Sequence, residues 1–154
     1  MVDSLLLRSP AKLNLILNII GRRNDGYHLL ETVFQFIDLC DDLQFTVNDE
    51  GDVQRLPGNS SVAAEDDILL RTAMLLQSRF QVGKGVNISI EKRIPIGGGL
   101  GGGSSNAATC LLALNQLWGL DQSLDRLSEI GLELGADVPV FVRGKAAWLS
   151  LIHI

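Results

Sequence analysis

Polar and apolar residues alternate along the first third of the chain and then give way to helical spacing. Leu5–Arg8 and Leu13–Ile20 read as strands, the second placing Leu13, Leu15, Leu17 and Ile19 on one face, because strand side chains point to opposite sides in turn. Val33–Leu39 and Leu43–Val47 read as two more strands, broken at Asp41–Asp42. Asn48–Asn59 is rich in Gly, Asp and Asn and holds Pro57, the composition of surface turns. Ile68–Phe80 carries apolar residues at helical spacing behind a set of acidic residues that favour a helix start. A strand over Val86–Arg93, a glycine run, and helices over Ser105–Trp118 and Ser123–Leu134 follow, and Ala146–Ile154 reads as strand-like. Strands and helices mixed without a parallel βαβ repeat predict an α+β fold.

Composition narrows the picture. A chain of 154 residues is the size of one domain with a real core. Its hydrophobic share of 46% and charged share of 20% are those of a soluble globular protein. A net charge of −5 argues against a general affinity for nucleic acid or for an anionic membrane. No apolar run approaches a membrane span, and the N-terminal MVDSLLLRSP lacks the pattern of a secretory signal. Cys40 and Cys110 sit inside apolar patterns and read as buried free thiols, which suits a reducing, cytoplasmic setting.

The glycine run carries the chemistry. Pro95–Ala108 reads PIGGGLGGGSSNAA, with six glycines among the seven residues from Gly97 to Gly103. Between a strand and a helix, such a loop lets backbone N–H groups approach a phosphate, and the helix N-terminus behind it adds free donors. A Walker A loop needs lysine after its last glycine, and here Gly103 is followed by Ser104 and Ser105. A dinucleotide fingerprint can be laid over Gly97, Gly99 and Gly102, but its acidic partner could only be Asp121, after a helix and not a strand. A flexible linker is the remaining plain reading, and linkers rarely join a regular strand to a capped helix. The pattern Pro-x-x-x-Gly-Leu-x-x-x-Ser-Ser-x-Ala fits from Pro95 to Ala107.

Three other constellations stand out. Lys12 and Asn14 share one strand face opposite Leu13 and Leu15, a pair able to bind a hydroxyl, phosphate or carboxylate, or simply to face solvent. Asp137 lies in the uncharged stretch GADVPVF, where a carboxylate must find a partner or serve as a turn or helix-end residue. Tyr27 and His28, in DGYH, can stack on and hydrogen-bond a nucleobase, or can cap a turn and pack at the core edge.

The glycine pattern resembles the phosphate loop of the GHMP kinases, the family of galactokinase, homoserine kinase and mevalonate kinase. SPAKLNLILNIIG at Ser9–Gly21, RNDGYHLLET at Arg23–Thr32 and GADVPVF at Gly135–Phe141 extend the likeness from about Leu7 to Trp148. The resemblance implies the GHMP N-terminal domain fold (ribosomal protein S5 domain 2-like), a mixed sheet with helices packed on one face. It implies ATP held by Pro95, Gly97, Gly98, Gly99, Leu100, Gly101, Gly102, Gly103, Ser104 and Ser105, with Mg²⁺ neutralising the phosphates. Lys12 and Asp137 carry catalysis in this reading: Asp137 is the base for the acceptor hydroxyl, and Lys12 keeps it ionised. Asn14 lines the substrate pocket, and Tyr27 and His28 recognise cytosine. The implied acceptor is the 2-hydroxyl of a cytidine diphosphate-linked methylerythritol, a small-molecule polyol of non-mevalonate isoprenoid biosynthesis.

The chain departs from the family at two places. Many such kinases have asparagine where Asp67 follows Glu65 and Asp66, and a carboxylate can accept from adenine's amine but cannot donate to its ring nitrogen. The likeness also stops at Trp148, leaving LSLIHI at 149–154 as a non-family apolar tail. These features lead us to expect residues 1–148 to form the ATP-binding N-terminal domain without its C-terminal partner domain. Such a chain is expected to have little kinase activity and to self-associate through uncovered apolar surface. A non-catalytic nucleotide-binding module is the rival reading. A nicotinamide-dependent half-domain is a weaker one, since the parallel βαβ pattern is missing.

Overall fold

The computed structural model describes residues 3–22, 24, 28–58 and 67–152. The elements run β1 (Ser4–Arg22), β2 (His28–Asn48), β3 (Val53–Arg55), α1 (Ile68–Arg79), β4 (Gly85–Glu91), α2 (Gly102–Leu117), α3 (Leu124–Leu134) and α4 (Val138–Ile152). The four strands form one mixed sheet in the order β1-β2-β4-β3. β2 is antiparallel to both β1 and β4, and β3 runs parallel to β4. The expected α+β fold with a mixed sheet is therefore present.

The core lies between one face of the sheet and the helices. Leu43, Phe45, Val86, Ile88 and Ile90 point from the sheet into Leu69, Ala73 and Leu76 of α1 and Ala107, Ala108, Leu111 and Leu114 of α2. Alternation explains the one-sided burial: Leu43 and Phe45 are buried while Gln44 between them is exposed. Small residues let α2 sit close to the sheet, and Val138 of α4 packs against Gly131 of α3 where a side chain would collide.

Three expectations are corrected. The two strands read before and after Ser9–Lys12 are one strand, and so are the two read around Asp41–Asp42. Asp41 does not break β2, because its buried carboxylate accepts hydrogen bonds from the Arg93 and Ile94 N–H groups and from Lys92. The region read as turns contains β3, whose three residues are too few to show a period. The tail read as strand-like continues α4 to Ile152. Each residue added to a helix already started gains one hydrogen bond, which outweighs a weak local alternation. Pro139 is tolerated because it falls in the first turn, where no intrahelical partner for its nitrogen exists.

β1 changes face as it runs. Leu5 and Leu7 pack against the core, and the register with β2 then shifts between Pro10, which faces Cys40, and Lys12, which faces Phe36, with the extra residues on the β2 side. An irregularity of this kind interrupts the strict alternation of side chains. Lys12 is consequently 5% exposed, while Leu13 and Leu15 are 43% and 55% exposed.

Candidate functional site

The glycine loop leaves β4 and folds over the start of α2. Gly101 caps α2 in the left-handed region at φ 72°, and its carbonyl takes the first helical hydrogen bond from the Ser105 N–H at 2.9 Å. A Cβ at Gly101 would stand 2.8 Å from Phe141 Cζ and 3.1 Å from Lys12 Cγ. Glycine is thus required there by both backbone and space. Gly97, Gly99 and Gly103 face open space instead. They border a cavity of about 430 Å³ lined by Pro95, Gly97–Ser104, Lys92, Asn106, Arg55, Asp67 and the apolar Ile68, Leu69, Ile90 and Ile96. The first turn of α2 contains no acidic residue. Its free N–H groups give this cavity a partly positive floor suited to an anion, and Lys92, ion-paired with Asp41, stands in its wall.

A buried polar network holds that floor. Asp41, fully buried, accepts from Lys92 Nζ at 2.6 Å, Arg93 N–H at 2.6 Å and Ile94 N–H at 2.9 Å. The Asn106 amide lies 2.8 Å from Ser9 Oγ, and the orientation that best satisfies its surroundings turns its nitrogen towards Ser9 Oγ, the Gly102 carbonyl and Asp41 Oδ2. Ser9 Oγ is 2.8 Å from Ser105 Oγ. The network thereby ties β1, β2, the end of β4 and the start of α2 into one unit, as satisfied buried polar groups do.

The structure brings some of the sequence-derived residues together. Ser104 lines the cavity, whereas Ser105 is buried behind the loop on Ser9. The Lys12 N–H donates to the Leu100 carbonyl at 2.9 Å, its stem lies against Gly101, and its ammonium stands over the Phe34 ring, 5.1 Å from the centroid. Asp137 directly precedes α4, its carbonyl accepting from the Phe141 N–H at 3.4 Å, and Phe141 packs on Gly101. Lys12, the loop and the start of α4 therefore converge. Phe141 is fixed in turn by stacking on Phe36, ring centroids 5.3 Å apart. Asn14 is exposed on β1. Tyr27 lies outside the described residues, as do Glu65 and Asp66; His28 opens β2 opposite Arg22, and its side chain lies outside the description.

Asp67 is the N-cap of α1, accepting from the Leu69 N–H at 2.9 Å and the Leu70 N–H at 3.4 Å, and its second oxygen binds Arg55. Sequence reasoning missed Arg55, Lys92, Asn106 and Asp41. Arg55 ends β3 and Lys92 follows the last residue of β4, places where charged residues ordinarily face solvent, so pattern alone did not mark them. The cysteines are free and buried. Burial pushes both thiols up, and for Cys110 the Asp67 charge adds to it. Both are thus neutral thiols, not nucleophiles. Among the described residues no group of three His, Cys, Asp or Glu side chains could hold a metal, and no helix is long and apolar enough to cross a membrane.

Strand order, the loop over α2 and the family pattern agree. The pattern of the GHMP kinases N terminal domain matches residues 67–145, and the chain belongs to that family. A 4-diphosphocytidyl-2-C-methyl-D-erythritol kinase from Nitrosococcus oceani is 56% identical over 144 residues, covering 94% of this chain and 51% of the relative. A solved 4-(cytidine 5'-diphospho)-2C-methyl-D-erythritol kinase shares 38% identity with a TM-score of 0.76, over 91% of this chain and 49% of its own. The homoserine kinase of Cytophaga hutchinsonii shares the fold alone, at 18% identity and a TM-score of 0.64, over 87% of this chain and 41% of its own. The chain spans about half the length of these kinases.

Proposed function

We propose that this chain supplies the ATP-binding half of a small-molecule kinase acting on 4-diphosphocytidyl-2-C-methyl-D-erythritol at its 2-hydroxyl, in isoprenoid precursor biosynthesis. The observation that carries the nucleotide part is the cavity in which Gly97, Gly99 and Gly103 leave open space beside Lys92 and the N-terminus of α2. A triphosphate fits that cradle, since backbone N–H groups, a helix start and a lysine are the usual partners of phosphate oxygens. The acceptor part rests on the likeness to the Nitrosococcus oceani kinase.

In this reading the loop N–H groups and Ser104 hold the β- and γ-phosphates. Asp137 accepts the proton of the acceptor hydroxyl, and Lys12 stabilises the carboxylate and the developing charge. Mg²⁺ is usually held by one or two carboxylates together with substrate phosphates, so the donor set here suits a cation that arrives on the nucleotide. When bound, it would neutralise the phosphate charge. Tyr27 and His28 are assigned to cytosine and Asn14 to the polyol, and the expected compartment is the cytoplasm.

Calorimetric titration with ATP, CDP and NAD tests this reading. ATP with Mg²⁺ and CDP are both expected to bind, and NAD is not. Binding of ATP alone would favour a nucleotide-binding module without the kinase substrate site. Failure of ATP to bind would remove the reading altogether.

A further inference from the structure

Four segments close a ring of contacts around Gly101, and two aromatic side chains form part of it. Lys12 of β1 faces Phe36 of β2 in the register of the sheet, which puts their side chains on one face. Phe36 stacks on Phe141 of α4, ring centroids 5.3 Å apart and planes 21° apart. The tip of Phe141 abuts Gly101, whose other neighbour is the Lys12 stem. The Lys12 N–H donates to the Leu100 carbonyl and completes the ring. Phe36 also rests on Gly144, where a Cβ would stand 2.4 Å from its Cε2 and 2.5 Å from its Cζ. Asp137 stands at the head of α4, one helical hydrogen bond before Phe141. Residues four and three apart share a side of a helix, so Asp137, Phe141 and Gly144 lie along one side of α4. The Phe36 ring thus sits in a notch of α4, between a buried ring and bare backbone. In a close-packed interior, turning or sliding α4 would drive one into the other.

We propose that Phe36 and Phe141 are positioning residues of the phosphoryl transfer, their stack setting the head of α4, and with it Asp137, against Lys12 and the phosphate loop. Both rings act through the segments they hold: Phe141 through α4 and Gly101, Phe36 through β2 beside Lys12. Gly144 seats the stack by leaving room for the Phe36 ring. Displacing a reacting group by about 1 Å can cost 10²-fold in rate, so packing away from the chemistry can set the turnover. The inference rests on the reading of Asp137 as the base.

The test is a double-variant cycle in a full-length kinase carrying this domain, read by steady-state kinetics with thermal melts to establish folding. Phe141→Leu keeps an apolar side chain and removes the stack. It is expected to lower kcat roughly 10–100-fold while KM for ATP stays within about threefold of the parent's. Asp137→Asn alone is expected to lower kcat about 10²–10⁴-fold. On top of Asp137→Asn, Phe141→Leu should cost nothing further, because a carboxylate already removed cannot be misplaced. Residues that act as a unit are non-additive in this way. Losses that multiply would show a merely structural role and overturn the proposal, as would an unchanged kcat or a KM for ATP that rises as far as kcat falls. If Phe141→Leu does not fold, Phe36→Leu goes through the same cycle and the same outcomes decide. Full turnover in Asp137→Asn overturns the base reading and this inference with it. An impaired Asp137→Asn beside an unimpaired Phe141→Leu overturns the stack alone.

Discussion

Gly101→Ala is the sharpest probe of the loop. Gly101 sits at φ 72°, and the added methyl would stand 2.8 Å from Phe141 Cζ and 3.1 Å from Lys12 Cγ. Holding a residue with a Cβ in the left-handed region costs about 1–2 kcal/mol. Forcing a methyl against packed atoms costs typically about 1–3 kcal/mol more. Phe141 cannot retreat easily, because its ring is stacked on Phe36. The variant should therefore lose about 2–5 kcal/mol of unfolding free energy, the sum of the two costs. Urea unfolding measures this directly. Gly103→Ala is the matched control. Its Cβ meets nothing within 4 Å and lies in the first turn of α2, so the fold should be unharmed while a methyl intrudes on the cavity. The two variants should thus separate, the first losing stability together with ATP affinity and the second losing ATP affinity alone. Pairing Gly101→Ala with Phe141→Leu should recover the steric part and leave the backbone part. A Gly101→Ala chain within about 0.5 kcal/mol of the parent, the range of an innocuous surface change, would refute the reasoning.

Other expectations follow from the buried charges and the proposed chemistry. Asp41→Ala takes away a carboxylate with three donors; it should destabilise by about 3–5 kcal/mol, as breaking a buried pair does, and Asp41→Asn with Lys92→Met should recover part of that in thermal melts. Burial lowers Lys145 from 10.5 to about 8, with Arg8 assisting. The folded chain thus holds that proton less tightly than the unfolded one, so folding bears the full cost of the buried ammonium below pH 8 and is relieved of it as pH rises towards 10.5. Lys145→Met should be the more stable chain at neutral pH, with its advantage shrinking by about 3 kcal/mol across that window; an advantage independent of pH in denaturant titrations would contradict this. In a full-length kinase carrying this domain, Asp137→Asn should lower phosphoryl transfer about 10²–10⁴-fold with ATP affinity kept, as read by steady-state kinetics beside calorimetry.

The sequence by itself determined the elements with strong local signals. The glycine run could only be a loop, Ile68–Phe80 and the Ala/Leu stretch behind Ser105 announced α1 and α2, and Asp67 stood where a cap belongs. These are short-range effects of spacing, backbone freedom and capping, and they survive without knowledge of the rest of the chain. The phosphate chemistry was legible for the same reason, since it resides in contiguous backbone.

What only the tertiary structure decided depends on contacts between distant segments. A register shift against β2 between Pro10 and Lys12 interrupts the alternation along β1, so a pattern read locally does not show that Leu13 and Leu15 are exposed and Lys12 buried. Asp41 looked like a strand breaker, yet Lys92, Arg93 and Ile94, some fifty residues away, satisfy it within a continuous strand. Arg55 and Asp67 gain their meaning only by facing each other across β3 and the start of α1. A charged residue in a sequence reads as solvent-facing until its counter-charge is known, and that partner is set by the fold, not by its neighbours in the chain.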